Sequence, residues 1–497
     1  MKFLSIHNFP KIKLILKFIY KKTLRKIFVK IIAPLIQKKS ETFISEIIKK
    51  IKNPQKKIIF YYQEYDTIDT VSIYQGLKLG LIKRGYQVSD LKFKLFPIGN
   101  FINNKLLVKN KNSNFENSLI RLKKQCKKFN QMNLFYALVD TIHKHHYQIW
   151  KNSFNGSFVL QDKFFEKIKK FQRKISKLAD KNDGIFFPDS PYIYNQILKQ
   201  EFLKKKKKAF VLSSSAGFHE SKTIYASEIS EEKSKNNILL YKKNKKKIDK
   251  YIIERFKGKF VEDYNNVSFE DLDFKKNINN NTKVLFLHSF TDAGNNTWST
   301  RQPFASHLEW TEYTLRELSK INFKNWFIKI HPVSQFAVSK DQAYQNQAFG
   351  NNQIIKYLKI KYKIPTKIFS ECPNTIEILT KKVPVYTNQS SIIHETIIYG
   401  YKSFFTGPRF DQYFGNKIFT KQDWKKSLFK KNVKSKDLIS KKLVMESKFK
   451  LWKAKTKYET SSFLPDGYLF SWDGNYESFK LGFKFLIKMM FSKNNDS

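Results

Sequence analysis

Arginine is scarce in this chain. Eight arginines stand among 94 strong bases, and every other one is lysine. Proteins that read nucleic acids draw on the bidentate fork and stacking plane of arginine. The formal charge of +52 therefore does not mark a nucleic-acid binder, and no RRM, KH or zinc-finger signature accompanies it. Lysine is instead crowded by Ile, Asn, Phe and Tyr, a mixture that an AT-rich genome produces. What remains physically is attraction to anionic surfaces, phospholipid included.

Cysteine is nearly absent too. Cys126 and Cys372 alone make neither a disulfide framework nor a metal-binding CxxC spacing, which fits a reducing compartment. No run of about 18 apolar residues occurs, so no membrane-spanning helix is expected. The basic N-terminus lacks a continuous apolar core and a small-residue cleavage site, so it does not read as a signal peptide. Residues 1–50 alternate apolar clusters with lysines at helical spacing. That suits a basic amphipathic helix on a membrane leaflet, or a helix packed on the body of the protein.

What is present is a folded chain: 41% hydrophobic and 16% aromatic over 497 residues, enough for two or three domains with real cores. The N-terminal half, 51–270, reads as an α/β unit. Ile58–Tyr62 is a strand, 68–84 a helix ending at Gly85, and Tyr86–Leu91 a strand. A helical insertion follows over 100–178. Gly184–Pro188 and Phe210–Ser213 are strands around a helix at 191–204. Residues 228–282, polar with weak helical signals, are the expected interdomain region. The C-terminal half, 271–450, alternates more cleanly. Strands are expected at Val284–His288, Trp326–Ile330, Lys367–Ser370, Val383–Tyr386 and Ser403–Thr406. The helices between them cover 305–320, 353–362, 375–381 and 391–399, with Gly400 as a C′ residue. Short buried strands alternating with helices predict a parallel, doubly wound sheet. Residues 451–497 form a helical, then aromatic tail. There is no internal sequence repeat and no heptad run.

Ligands of such sheets bind at the carboxyl ends of the strands. Four polar segments fall there: His288-Ser-Phe-Thr-Asp292, His331-Pro332, Asn388-Gln-Ser390-Ser391, and Gly407-Pro408-Arg409. Ser390 and Ser391 open a helix whose amide end and dipole suit a phosphate, although an ordinary serine N-cap is the commoner meaning of such a pair taken alone. Glu395, one turn in, could accept hydrogen bonds from a ribose, or complete a capping-box-like start. His331, aimed by Pro332, could bond a phosphate leaving group, or simply cap a loop. Asp292 is a candidate base or an Asx turn with Gly294. Arg409 could pair with a phosphate or sugar carboxylate, or face solvent.

The succession "FLHSFTDA", "WFIKIHP" and "TNQSSIIHETIIYGYKSFFTG" resembles the C-terminal domain of bacterial capsule polysaccharide biosynthesis glycosyltransferases. These are relatives of the β-Kdo transferases and of the HP-motif sialyl- and polysialyltransferases. The resemblance covers about residues 280–420. It implies a GT-B fold: two Rossmann-like domains with parallel sheets facing a cleft, here with N-terminal and inserted helices added. It also implies that His331, Ser390 and Ser391 contact the donor phosphate, with Glu395 on the ribose. Gln302-Pro303 echoes a Gln-Pro pair of the β-Kdo group. The base is expected to be a carboxylate, with Glu64, Asp66, Asp189 and Asp292 as candidates. No metal and no cofactor are expected, only a CMP- or UDP-linked sugar as co-substrate. The expected acceptor is a glycan or glycolipid. The expected location is the cytoplasm, peripheral to the anionic inner membrane, with no nucleic acid bound. A nucleotide-sugar 2-epimerase, a polyol-phosphate transferase and a non-catalytic export or scaffold protein are the alternatives.

Overall fold

In the computed structural model the described residues are chiefly 56–61, 68–91, 114–213, 217–220, 231–256, 278–290, 303–334, 342–407, 415–430 and 439–453, apart from short stretches within these ranges. They form a mixed α/β protein with two five-stranded sheets. The first holds β1 (Lys57–Tyr61), β2 (Gln87–Leu91), β3 (Gly184–Pro188), β4 (Lys208–Ser213) and β5 (Gly217–Glu220), in the order β2-β1-β3-β4-β5. The second holds β6 (Lys283–Phe286), β7 (Trp326–Lys329), β8 (Val385–Thr387), β9 (Phe404–Phe405) and β10 (Asn416–Lys417). Its order, β7-β6-β8-β9-β10, is the same when strands are counted from the start of each sheet. Within these two sheets all pairings are parallel except β4 with β5. A topological repeat therefore exists where no sequence repeat does. The arrangement is compatible with two Rossmann-like domains.

The helices recur in step. α1 (Ile68–Lys83) joins the first two strands of the first sheet. α2 (Phe115–Lys128), α3 (Phe135–Lys144) and α4 (Asp162–Asp180) fill the crossover to β3, and α5 (Ile193–Lys204) leads to β4. α6 (Glu231–Phe256) follows the first sheet. In the second sheet α7 (His307–Ser319) joins the first two strands. α8 (Gln342–Lys361), α9 (Lys367–Ser370) and α10 (Thr375–Thr380) fill the equivalent crossover, and α11 (Ile392–Ile398) leads to β9. α12 (Lys421–Phe429) and α13 (Lys441–Lys453) close the chain's described body. α1 and α11 end alike. Gly85 and Gly400 take φ of +80° and +85°. The residue after each bonds back to the last turn, Tyr86 to Leu81 and Tyr401 to Thr396, the paired closure that glycine makes without Cβ strain.

The central strands of both sheets read as apolar runs because both of their faces are covered. Each also carries an aromatic ladder. Phe60, Phe186 and Phe210 share one register level across β1, β3 and β4 and stack at 4.8 and 4.5 Å. In the second sheet Trp326, Tyr386 and Phe404 meet at 4.8 and 4.7 Å. One apolar core joins residues of both sheets. Across the seam, Trp150 and Phe154 pack on Tyr357 at 5.2 and 5.8 Å. Arg316 lies 3.8 Å from Glu116.

One expectation changes, and two features were not anticipated. Lys367–Ser370 is a single helical turn, not a strand. Pro365 and Thr366 accept the bonds that start it, and two adjacent apolar residues, Ile368 and Phe369, cannot build a sheet face. The polar region 228–282 contains α6, a helix of 26 residues. It packs on the second half, with Tyr241, Ile248, Tyr251 and Ile252 against Phe449 and Leu451 of α13. The edge strands β5 and β10 were not expected. Cys126 is fully buried on α2, and burial pushes its thiol up to about 12, so it is inert at neutral pH. Among the described residues no helix is long and apolar enough to cross a membrane. Nearly all of 1–50 and of 454–497 lies outside the described residues, and so does the expected amphipathic segment.

Candidate functional site

In a sheet of this strand order, the crevice between the first and third strands is where the chain's direction of winding reverses and ligands settle. The register of the second sheet decides what is delivered there. Phe286 pairs with Lys329 on one side and with Thr387 on the other, and Thr387 pairs with Phe405. Two residues further on stand His288, His331, Gln389 and Gly407. The four segments anticipated from the sequence thus leave adjacent parallel strands at one edge.

Histidines dominate that edge. The rings of His288 and His307 stack at 4.1 Å with 13° between their planes. His331 lies 5.5 Å from His288. His288 and His331 are half-buried, and His307 is buried. Hydrogen-bond partners assign protons. The Val333 backbone N–H donates to His331 Nδ1 at 3.2 Å, so a neutral His331 carries its proton on Nε2. His288 Nδ1 lies 3.2 Å from the Ser289 carbonyl, which can only accept, so here the proton sits on Nδ1 and the lone pair on Nε2. The two half-exposed rings therefore present opposite hydrogen-bonding characters.

His307 is held between two amides. Its Nδ1 is 2.8 Å from the Asn388 side-chain amide and its Nε2 is 3.3 Å from that of Gln389. A neutral imidazole has one donor and one acceptor nitrogen, so one amide presents its oxygen and the other its nitrogen. Thr406 Oγ1 donates to Asn388 Oδ1 at 2.9 Å, and the Gly407 N–H donates to the Asn388 carbonyl at 2.6 Å. Gly407 is required here, since a Cβ would stand 2.6 Å from that carbonyl oxygen and 2.8 Å from Gln389 Cβ. His307 opens α7 behind a variant of the capping box: Ser306 Oγ accepts from the Glu309 N–H at 3.0 Å, and Glu309 reaches one residue past the cap to accept from the Ala305 N–H at 2.5 Å.

The loop after β6 is anchored by α8 and lies against α3. Asn351 Oδ1 accepts from the Phe290 N–H at 2.8 Å. From α3, buried His143 reaches the Phe290 backbone without attaining hydrogen-bond geometry. Burial pushes the His143 imidazole down to about 4, with the Phe290 backbone opposing the shift weakly.

The remaining expected residues fall as follows. Ser390 Oγ accepts from the Ile392 N–H at 3.3 Å. Ser391 is exposed and makes no side-chain cap. Glu395 is buried, and its carboxylate is engaged by Arg255 from the last turn of α6, whose Nε donates at 3.0 Å. The Glu395 charge raises the Arg255 guanidinium above its ordinary value. This pair competes with the ribose role that the resemblance implies for Glu395. Glu64, Asp66, Asp189, Asp292, Gln302 and Arg409 lie outside the described residues. Among the described residues no group of His, Cys, Asp and Glu could hold a metal ion, and rings stacked face to face do not converge their nitrogens on one point.

The other edges differ. At the amino edge of the second sheet, Lys283 Nζ donates to the Leu428 and Lys430 carbonyls at 2.7 and 3.0 Å, and burial lowers it to about 8. That is a helix cap, not a site. Beside the first sheet, a small apolar groove between α4 and α5 is lined by Phe164, Ile168, Phe171, Ile193, Tyr194 and Ile197. His307 was not among the residues anticipated from the sequence, and Asn388 and Gln389 were anticipated only as part of the segment that holds Ser390 and Ser391. The Ser306-x-x-Glu309 capping box was the available signal for His307. No known protein family, curated protein or solved structure matches the chain.

Proposed function

We propose that the chain is a metal-independent glycosyltransferase of the GT-B kind. It moves a sugar from a CMP- or UDP-linked donor to a growing, lipid-linked surface polysaccharide. The observation that carries this reading is the histidine and amide cluster at the first-to-third-strand crevice of the second sheet. The repeated strand order supports it, because a GT-B enzyme needs two such sheets.

In this reading the donor phosphates lie over the carboxyl edge. His331 Nε2–H donates to a phosphate oxygen, and the Ser390 segment adds polar contact. His288 Nε2 accepts from a donor hydroxyl. His307 is a positioning residue that holds the His288 ring flat. A carboxylate from Asp292, Asp66 or Asp189 takes the acceptor hydroxyl proton. The acceptor oxygen attacks the anomeric carbon, the bond to phosphate breaks, and the nucleotide leaves with its charge stabilised by hydrogen bonds. The test is transfer of labelled sugar from a panel of nucleotide sugars to a membrane glycolipid extract. Label in polymer or glycolipid is expected. Conversion of nucleotide sugar without any acceptor would point to an epimerase instead, and no turnover of any donor would overturn the proposal.

A further inference from the structure

The helix α6 has two opposite faces. Tyr241, Ile248, Tyr251 and Ile252 are buried on one, and Arg255 adds its ion pair with Glu395. On the other, Leu239, Lys243, Lys246, Lys250 and Ile253 recur at spacings of four and three residues, which stacks them along a single stripe. All five are exposed. Lys242 and Lys247 flank the stripe and are exposed as well. From Leu239 to Ile253 the stripe runs about 21 Å at 1.5 Å per residue.

Its chemistry is unusual at both ends. Leu239 and Ile253 leave 63% and 55% of their surface in water, bracketing a row of lysines. Between Leu239 and Ile253 the helix's acidic groups stay off the row. Asp249 is drawn to the packed side by Tyr241, Lys245 and Lys448, at 3.1, 3.2 and 2.9 Å. Glu254 is half-buried at the flank.

We infer that this face of α6 docks on an anionic lipid bilayer, with the lysines over headgroup phosphates and carboxylates and the two aliphatic ends entering the acyl boundary. Charge complementarity selects an anionic partner, and lysine-rich faces gain attraction from each base near such a surface. The exposed Leu239 and Ile253 favour lipid over nucleic acid, since an apolar side chain has a place among acyl chains and none against a phosphate backbone. The helix's arginine at 255 is turned inward to Glu395, leaving point charges without the bidentate fork. The inference does not depend on the catalytic reading, because docking requires no nucleotide.

The experiment is vesicle co-sedimentation of the full chain, comparing phosphatidylcholine alone with phosphatidylcholine containing phosphatidylserine, at physiological salt. Wild type is expected on the mixed vesicles only. The K243Q/K246Q/K250Q variant should bind on the order of 100-fold more weakly, from about a factor of five per lysine. L239S/I253S should also weaken binding, at unchanged salt dependence. K163Q/K170Q/K177Q, on exposed positions of α4, is the matched control and should bind as wild type. Thermal unfolding of each variant checks the fold. Wild-type binding by the α6 triple variant, or an equal loss in the α4 control, would overturn the proposal. So would RNA or DNA binding that depends on the same three lysines with no vesicle binding.

Discussion

The two sheets share a strand order, an aromatic ladder and a helix-filled crossover between their second and third strands, yet the described residues in and around them differ in chemistry. In the first, the ladder is all phenylalanine and the groove beside α4 and α5 is apolar. In the second, the ladder contains Trp326 and Tyr386, and the carboxyl edge gathers three imidazoles and two amides. A strand order fixes where loops meet. The residues placed just past each strand fix what the meeting can do. Function on such a scaffold is read from the edge, not from the sheet.

That contrast can be broken or sharpened by substitution. The largest effect is expected at the second edge. His331→Ala should lower turnover of the true donor by about 100-fold or more, the usual scale for removing one donor to a leaving oxyanion. Ser391→Ala, exposed and capping nothing, should change it less than about threefold on the same argument. Steady-state kinetics with both variants checks the ranking.

Next comes the strut behind the edge. Arg255→Met leaves Glu395 buried without its partner and should cost about 3 kcal/mol in urea unfolding. Arg255→Met with Glu395→Leu should recover most of it. If the single variant loses nothing, the pair does not hold α6 to α11. A pair of glycines compares the sheets directly. Gly407→Ala must push Asn388 aside, and a cost of about 1–3 kcal/mol is expected. At Gly184, in β3, an added Cβ meets Ile58 Cδ1 at 3.1 Å and the Lys208 carbonyl at 3.2 Å. Gly184→Ala should therefore cost less than Gly407→Ala in the same measurement.

The seam between the halves supplies a pH test. The folded His143 value, about 4, lies below the ordinary 6.5. Above pH 6.5 the ring is neutral in both states and contributes no slope. Between 6.5 and 4 the unfolded chain takes up a proton that the folded chain refuses, so stability falls as pH falls, and the slope ends below 4. The expected loss is about 1–3 kcal/mol across that window. His143→Phe should flatten this part of the profile, measured as urea midpoints at pH 7, 6 and 5. An unchanged slope would mean that the ring is not sealed against the loop after β6.

The central strands were legible in the sequence because a parallel strand covered on both faces is a short apolar run, as in Val284-Leu285 and Ile328. Gly85 and Gly400 were legible as helix ends because positive φ selects glycine. Other features were hidden. Ile368-Phe369 looks like a strand until its helical turn behind Pro365 is seen. The edge strands β5 and β10 are short and carry little alternation. His307 follows no strand, so a search of strand ends passes over it. The Arg255–Glu395 pair joins residues 140 apart in the chain, a contact that no local pattern encodes. The repeated strand order is a property of pairing, and the two halves realise it with different residues.

The proposed activity requires that the second edge grip a nucleotide phosphate. The most direct measurement is a thermal-shift titration with CMP, UDP, GDP and CDP, on wild type and on the His288→Ala and His331→Ala variants. At a hundredfold excess over Kd, one nucleotide should stabilise wild type by about 2.7 kcal/mol, with the shift lost in both variants. No shift with any nucleotide, or one that survives both substitutions, would contradict it.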